Sequence, residues 1–397
     1  MKKRAKVKEL KVTQIGRREF LYGSAGLVAA STAGRLLMAE SASRQLLLAG
    51  TQTGEISKGI YAYEFDSSTG ELTQTGLAAE ADNPTFLTVA PDRETVFVAN
   101  EVNHFDGKRS GAVSSYTLNR AAARLTKVNE SATGGPGTCH VAVDHTGRCV
   151  FAANYGGGSA ASFEAVRDGR LSEAVSFFQY TGHGPNTLRQ EAPHAHRVTV
   201  SPDNRFLLVN DLGLDVIHIY RLDAATAKLT PNEPSVWKSN PGAGPRALVF
   251  HPNRRVAYCV TEMSSTVYVL RWDAVHGTFE TVQEVVMKPA SFTGITGGAD
   301  IVIDRNAEFA YAIDRFDNIV VTFSIAPNDG TLTLLDRISC GGEVPRHLVL
   351  DPGGRWLLVA NQASDNISVF KIDPKSGKAS AAGKSFPLSK PQCLVFP

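Results

Sequence analysis

Short apolar runs alternate with turn residues in a fixed order along most of the chain. Six stretches pair an apolar run, a turn rich in Pro, Asp, Asn or Gly, and a second apolar run that closes on a polar residue. They run from Phe86 to Asn100, Val141 to Asn154, Val198 to Asn210, Leu248 to Thr261, Ile301 to Asp314 and Leu348 to Asn361. Apolar runs bounded by such turn residues predict β-hairpins. A second motif follows each one: an alternating strand, a turn, then a short strand. Val216–Asp223 with Lys228-Leu229-Thr230 is one example, and Ile367–Asp373 with Ser376-Gly377-Lys378 is another. This second motif occurs seven times, first at Gly59–Asp66 with Gly70–Thr73. Only half a hairpin, Gln45–Thr51, precedes that first copy. The missing half, Gln392–Phe396, stands at the far end of the chain.

Four strands per repeat, at about 51 residues per repeat over 44–397, are the signature of a β-propeller. A solenoid would carry two atypical capping repeats, whereas these incomplete ends complement each other. The pattern therefore predicts an all-β, seven-bladed propeller in one domain, 44–397. Its closing blade is shared by N-terminal and C-terminal strands, which removes the open sheet edges.

The first 43 residues do not belong to that pattern. They hold nine Lys/Arg and three Asp/Glu, including Arg17 and Arg18, ahead of an uncharged stretch Phe20–Gly34 rich in Ala and Gly. The arrangement fits the regions of a secretory leader. The adjacent arginines resemble a twin-arginine export signal, with Gly16 where Ser or Thr usually stands. Residues 1–43 are thus expected to direct export to the periplasm, with cleavage within Ala39–Ser43 and no membrane anchor left afterwards. If they are not a leader, the protein is cytoplasmic. Without them the chain has 32 basic and 36 acidic residues, a net charge of −4. No nucleic-acid partner is expected at that charge.

Cys139, Cys149, Cys259, Cys340 and Cys393 are odd in number, widely spaced and set in apolar runs. They make neither a disulfide framework nor a zinc site and read as small buried hydrophobes. The chain offers no close His/Cys/Asp set at metal spacing, so no metal and no cofactor is expected.

Polar chemistry gathers where the repeat geometry brings strand ends together. In an antiparallel hairpin the start of the first strand and the end of the second lie at one face. Repeated around an axis, these positions ring one mouth of the channel. The first set is His140, His194, His196, Arg246, Asp300, Arg346 and His347. The second is Glu101, Asn154, Tyr155, Asp211, Glu262, Arg315, Asn361 and Gln362. Arginines in a funnel supply bidentate donors for a carboxylate or phosphate. A His and a Glu beside them can move a proton or activate water. Gly156-Gly157-Gly158 lies between two strands without a following Lys-Ser/Thr or helix, so it is not a nucleotide loop. It is expected to let the chain pass close to its neighbours.

Several strings resemble the seven-bladed lactonase family, which includes bacterial propeller-type 6-phosphogluconolactonases and fungal carboxy-muconate cyclases. They are Ala153–Ser159, Arg189-Gln-Glu-Ala-Pro-His-Ala-His196, Asn210–Gly213, Gly242-Ala-Gly-Pro-Arg246, Glu262 and Val344-Pro-Arg-His347. The resemblance spans essentially all of 44–397. It implies a metal-free lactone hydrolase acting on an acidic sugar or organic-acid lactone. It also implies a catalytic set of His196, Arg246, Glu262 and Arg315. His140, Asn154, Tyr155, His194, Arg346 and His347 are the expected substrate-binding set around them. Which of His196 and Glu262 acts as acid and which as base stays open. Two positions depart from the family pattern: Ala247 replaces a usual His, and Asp314 replaces a usual Asn before Arg315. Both weaken the case for phosphate as the recognised group, and export would also separate the enzyme from a cytosolic phosphorylated lactone. The alternatives are a muconate-type cycloisomerase and a non-catalytic exported propeller that binds a ligand.

Overall fold

In the computed structural model, residues 43–166 and 168–397 are described. Their 28 strands, numbered β1–β28 in chain order, form seven four-stranded antiparallel sheets. Six blades use consecutive strands. Their inner strands are β4 (Pro84–Val89), β8 (Thr138–Val143), β12 (Ala195–Val200), β16 (Pro245–Phe250), β20 (Gly298–Ile303) and β24 (Pro345–Leu350), which open blades 2 to 7 in turn. Blade 1 joins the two ends of the ring. Its inner strand is β28 (Pro391–Val395), paired with β1 (Arg44–Thr51) through Leu48 opposite Val395 and Ala49 opposite Leu394. The predicted shared blade is therefore observed. Phe396 sets its ring edge-on to Phe65, with centroids 5.5 Å apart.

The second strand of each blade is buried on both faces, because a blade lies on either side of it. The strand Phe206–Asp211 has all six residues buried. An outer strand such as Leu171–Gln179 keeps most positions exposed or half-exposed, since it meets solvent along one edge. Apolar burial is divided among seven clusters, one at each blade-to-blade interface. The Leu47–Tyr63–Leu394 side of blade 1 packs on Trp356, Leu358 and Val369 of blade 7. Glycine makes one such contact possible: Gly70 has φ +73°, and a Cβ there would stand 2.6 Å from the Trp356 ring. The indole N–H of Trp356 donates to the Ser67 carbonyl at 2.9 Å. No central core is needed, and the axis is left to polar side chains.

Candidate active site

Each of the seven inner strands carries one extra residue at its start relative to the next strand of its blade. A β-bulge of this kind breaks the alternation of faces and re-aims side chains. The lumen is accordingly lined by consecutive residues: Thr85 with Phe86, Cys139 with His140, His196 with Arg197, and Arg346 with His347. Arg246, Asp300 and Gln392 complete the lining.

The second member of each pair forms a deep tier. Arg197 Nη1 lies 2.6 Å from Asp300 Oδ1, and Asp300 Oδ2 lies 3.6 Å from His347 Nε2. The backbone N–H of Leu394 donates to His347 Nδ1 at 3.3 Å, and that of Val198 donates to His140 Nδ1 at 3.4 Å. Each Nδ1 accepts, so each Nε2 carries the proton. The His140 ring lies 4.0 Å from Phe86. Burial, then Arg197, holds the pKa of His140 well below its ordinary value. Burial also pulls His347 down to about 4, with Asp300 opposing and Arg197 adding to the shift. Both rings are neutral at physiological pH.

Glu262 follows the strand Val256–Thr261 and is 2% exposed. Its Oε2 receives Arg246 Nε at 3.0 Å and Arg315 Nη2 at 2.7 Å, and its Oε1 receives Arg189 Nη2. Burial pushes the carboxyl pKa up, but Arg315, Arg246 and Arg189 outweigh it and hold the group at about 2. Glu262 is therefore an ionised anchor with both oxygens engaged. Arg246 also donates through Nη1 to the Ala299 carbonyl. Burial and Arg315 lower its pKa, Glu262 opposes them, and the guanidinium stays protonated at neutral pH. His196 is half-buried on the lumen wall. Its pKa is held well below the ordinary imidazole value by burial, then by Arg246, Arg346 and Arg315. It presents a neutral ring beside three cations.

Of the sequence-predicted residues, His140, His196, Arg246, Arg346 and His347 meet at the lumen. Glu262 and Arg315 join them through Arg246. Tyr155 stands at the mouth, its ring edge-on to His196 with centroids 5.8 Å apart. Two residues take other positions. Asn154 is fully buried inside its blade: its carbonyl accepts from Thr138 Oγ1 at 2.7 Å, and its amide donates to Ser159 Oγ and the Thr133 carbonyl. It staples the blade instead of facing a substrate. His194 stacks on Tyr155 at 4.4 Å, with Nδ1 3.1 Å from the Tyr155 carbonyl and Nε2 3.3 Å from Glu191. It braces Tyr155. Asp314 is likewise spent on structure, accepting from Ser265 Oγ at 2.6 Å and from the N–H groups of Gly297 and Phe316. Its charge is thus engaged by the turn that carries Arg315. The Gly156–Gly158 run does pass close to its neighbours. Gly158 has φ +55°, and a Cβ there would meet the Pro193 carbonyl oxygen at 2.5 Å.

Two residues enter the site that the sequence reading did not select. Arg189 arrives on the loop before β12, which Gln190 pins by donating to the Leu212 carbonyl and to Asp215. Arg197 occupies the same inner-strand position as His140 and His347, a correspondence present in the repeats themselves. Beside the lumen lies a second cavity of about 260 Å³ with Thr85, Arg346 and Gln392 in common. A larger one, about 1030 Å³, is lined by Arg254, Trp272 and Asp329 at the opposite ends of the blade 5 and 6 strands. Volume therefore does not mark the cationic centre.

The family described as "Lactonase, 7-bladed beta-propeller" matches residues 46–396. The 6-phosphogluconolactonase of Bacillus subtilis is 31% identical over 347 residues, covering 87% of this chain and 97% of that one. That of Klebsiella pneumoniae is 31% identical over 328 residues, covering 83% and 92%. Among solved structures, the periplasmic gluconolactonase of Pseudomonas aeruginosa superposes with a TM-score of 0.83 at 33% identity. It covers 89% of this chain and 100% of that one.

Proposed function

Because the chain belongs to the seven-bladed β-propeller lactonase family, we propose that it is a lactone hydrolase, a carboxylic-ester hydrolase resembling 6-phosphogluconolactonase. The observation that carries this reading is the division of labour around Arg246. Glu262 holds three guanidiniums in place, and His196, neutral and on the lumen wall, is left to handle protons.

In this reading Arg246 and Arg315 direct N–H donors at the lactone carbonyl oxygen, where negative charge develops. His196 takes a proton from water as the water oxygen bonds to the carbonyl carbon. The cationic surroundings that make His196 a weak base at rest are partly cancelled once the oxyanion forms, so its basicity rises as the proton arrives. The ring C–O bond then breaks, and the imidazolium returns its proton to the leaving alkoxide. The carboxylic acid so formed gives up its remaining proton to solvent, and the carboxylate stays opposite the arginines. Glu262 is a positioning residue here, because a carboxylate at about pKa 2 with both oxygens engaged is a poor proton acceptor.

Residues 1–43 are read as an export leader and 44–397 as the propeller domain, with the mature protein in the periplasm. The twin-arginine sequence supports this, as does the periplasmic gluconolactonase among the similar structures. Residues 1–42 lie outside the described residues. The test is a pH-recording assay of purified 44–397 against phosphorylated, aldonic and muconic lactones. Acid release above the uncatalysed background is expected. Its absence across the panel would leave only a binding propeller.

A further inference from the structure

The 260 Å³ cavity beside the lumen is a cup at the mouth, walled by blades 1, 2, 3 and 7. Thr85 and Gln392, 4% and 3% exposed, form part of its wall, with Thr85 Oγ1 and Gln392 Nε2 sealed behind the cavity surface without a partner.

The wall repeats the theme with charged groups. Glu101 Oε2 and Arg346 Nη2 stand 3.7 Å apart, beyond hydrogen-bond length. Among the described residues, neither carboxylate oxygen of Glu101 nor any guanidinium nitrogen of Arg346 has a hydrogen-bond partner. The Gln52 and Gln362 amides, 3.3 Å apart, supply further donors and acceptors.

This set selects among chemical groups. A hydroxyl both donates and accepts through one oxygen, so it can bridge Glu101 and Arg346. A phosphoryl oxygen only accepts. It would satisfy Arg346 but bring its charge against the Glu101 carboxylate, a repulsion that acts as selection against it. The volume is the share of about nine liquid waters, which admits a short chain or ring bearing several hydroxyls.

The geometry points to this cup as the subsite for an uncharged, polyhydroxylated part of the substrate, with Glu101 selecting hydroxyl over phosphoryl. The assignment rests on the lactonase reading of the adjoining lumen.

Three lactones test it: glucono-1,5-lactone, its 6-phosphate, and δ-valerolactone, which lacks hydroxyls. Wild-type kcat/KM should be highest for the first. Glu101→Gln should lower the ratio of kcat/KM for gluconolactone over its 6-phosphate roughly tenfold to a hundredfold. A wild type that prefers the 6-phosphate or δ-valerolactone, or a ratio unmoved by Glu101→Gln, overturns the cup alone. Failure to hydrolyse any of the three overturns the lactonase reading beneath it.

Discussion

Arg197 Nη1 and Asp300 Oδ1, 2.6 Å apart, tie blade 4 to blade 6 and pass over the blade between them. The intervening inner-strand position is Ala247, the smallest side chain of its tier and part of the apolar cluster between blades 5 and 6. The family's usual His at that position would carry a polar ring there. In this chain the alanine leaves the path open for an ion pair.

Removing one partner of that pair should be costly. Asp300→Asn strips the counter-charge from Arg197 and should destabilise the fold by about 3–5 kcal/mol. Replacing both Arg197 and Asp300 with apolar residues should cost less than the two single changes added together. Urea unfolding of the set measures this. A loss below about 1 kcal/mol for Asp300→Asn would mean that the pair is solvated and adds little.

His196 and Glu262 should fail in different ways. His196→Asn removes the proton acceptor, so kcat should fall by roughly 10²–10⁴ with KM little changed. Glu262→Gln leaves three arginines without their anchor, so KM should rise as kcat falls. The opposite pattern, with Glu262→Gln acting on kcat alone and His196→Asn nearly silent, would transfer the base to the glutamate.

Acid should begin to loosen the fold well above the pH at which Glu262 is neutralised. His347 titrates near 4 in the fold and near 6.5 when unfolded, so unfolding takes up a proton throughout that window. Stability should therefore be full above pH 6.5 and decline toward pH 4, by roughly 3 kcal/mol from His347 alone. His140 and His196 are shifted the same way and steepen the decline. Glu262 adds its own loss as pH falls from about 4.5 toward 2. Urea midpoints at pH 7, 5.5 and 4.5 read the effect, and His347→Gln should make it shallower, with His140 and His196 supplying the rest. A level profile from pH 7 to 4.5 would contradict buried neutral histidines.

Ring closure should be indispensable. Deleting 391–397 removes β28, including Leu394 from the cluster shared with blade 7 and Cys393 from the one shared with blade 2. Burial of Leu394 alone is worth roughly 1.5–3 kcal/mol, and an unpaired edge of β1 is exposed as well. The truncated protein should aggregate or melt well below the full chain. An unchanged melting temperature would show that the other six blades hold without closure.

Export can be tested apart from catalysis. Residues 1–43 fused to a reporter that requires folded transport should carry it across the membrane, and changing Arg17 and Arg18 to Lys should stop it. Undiminished transport by the double variant would rule out the twin-arginine route.

The strand order, the closing blade and the channel face were legible because a repeated hairpin allows little else. Side-chain direction within a repeat was not. Asn154 and Tyr155 are adjacent at a strand end, yet one is sealed inside the blade and the other reaches the mouth. A hydropathy pattern treats both as polar ends. Arg197 was missed because strict alternation points it away from His196, whereas a bulge turns both into the lumen. Arg189 was missed for another reason: its loop crosses from blade 4 to Glu262 of blade 5, a long-range contact that local sequence does not encode.

The extra residue in every inner strand also bears on how such a channel changes over generations. Where a bulged doublet adds no side chain to the apolar clusters between blades, neighbouring codons can be rewritten while the apolar residues of the same strand stay fixed. Cys139 with His140, His196 with Arg197 and Arg346 with His347 are unlike one another, yet all sit on near-identical backbones. A lineage could pass from one lactone to another by single substitutions at the outer member of such a doublet, leaving the pair of Arg197 with Asp300 in place.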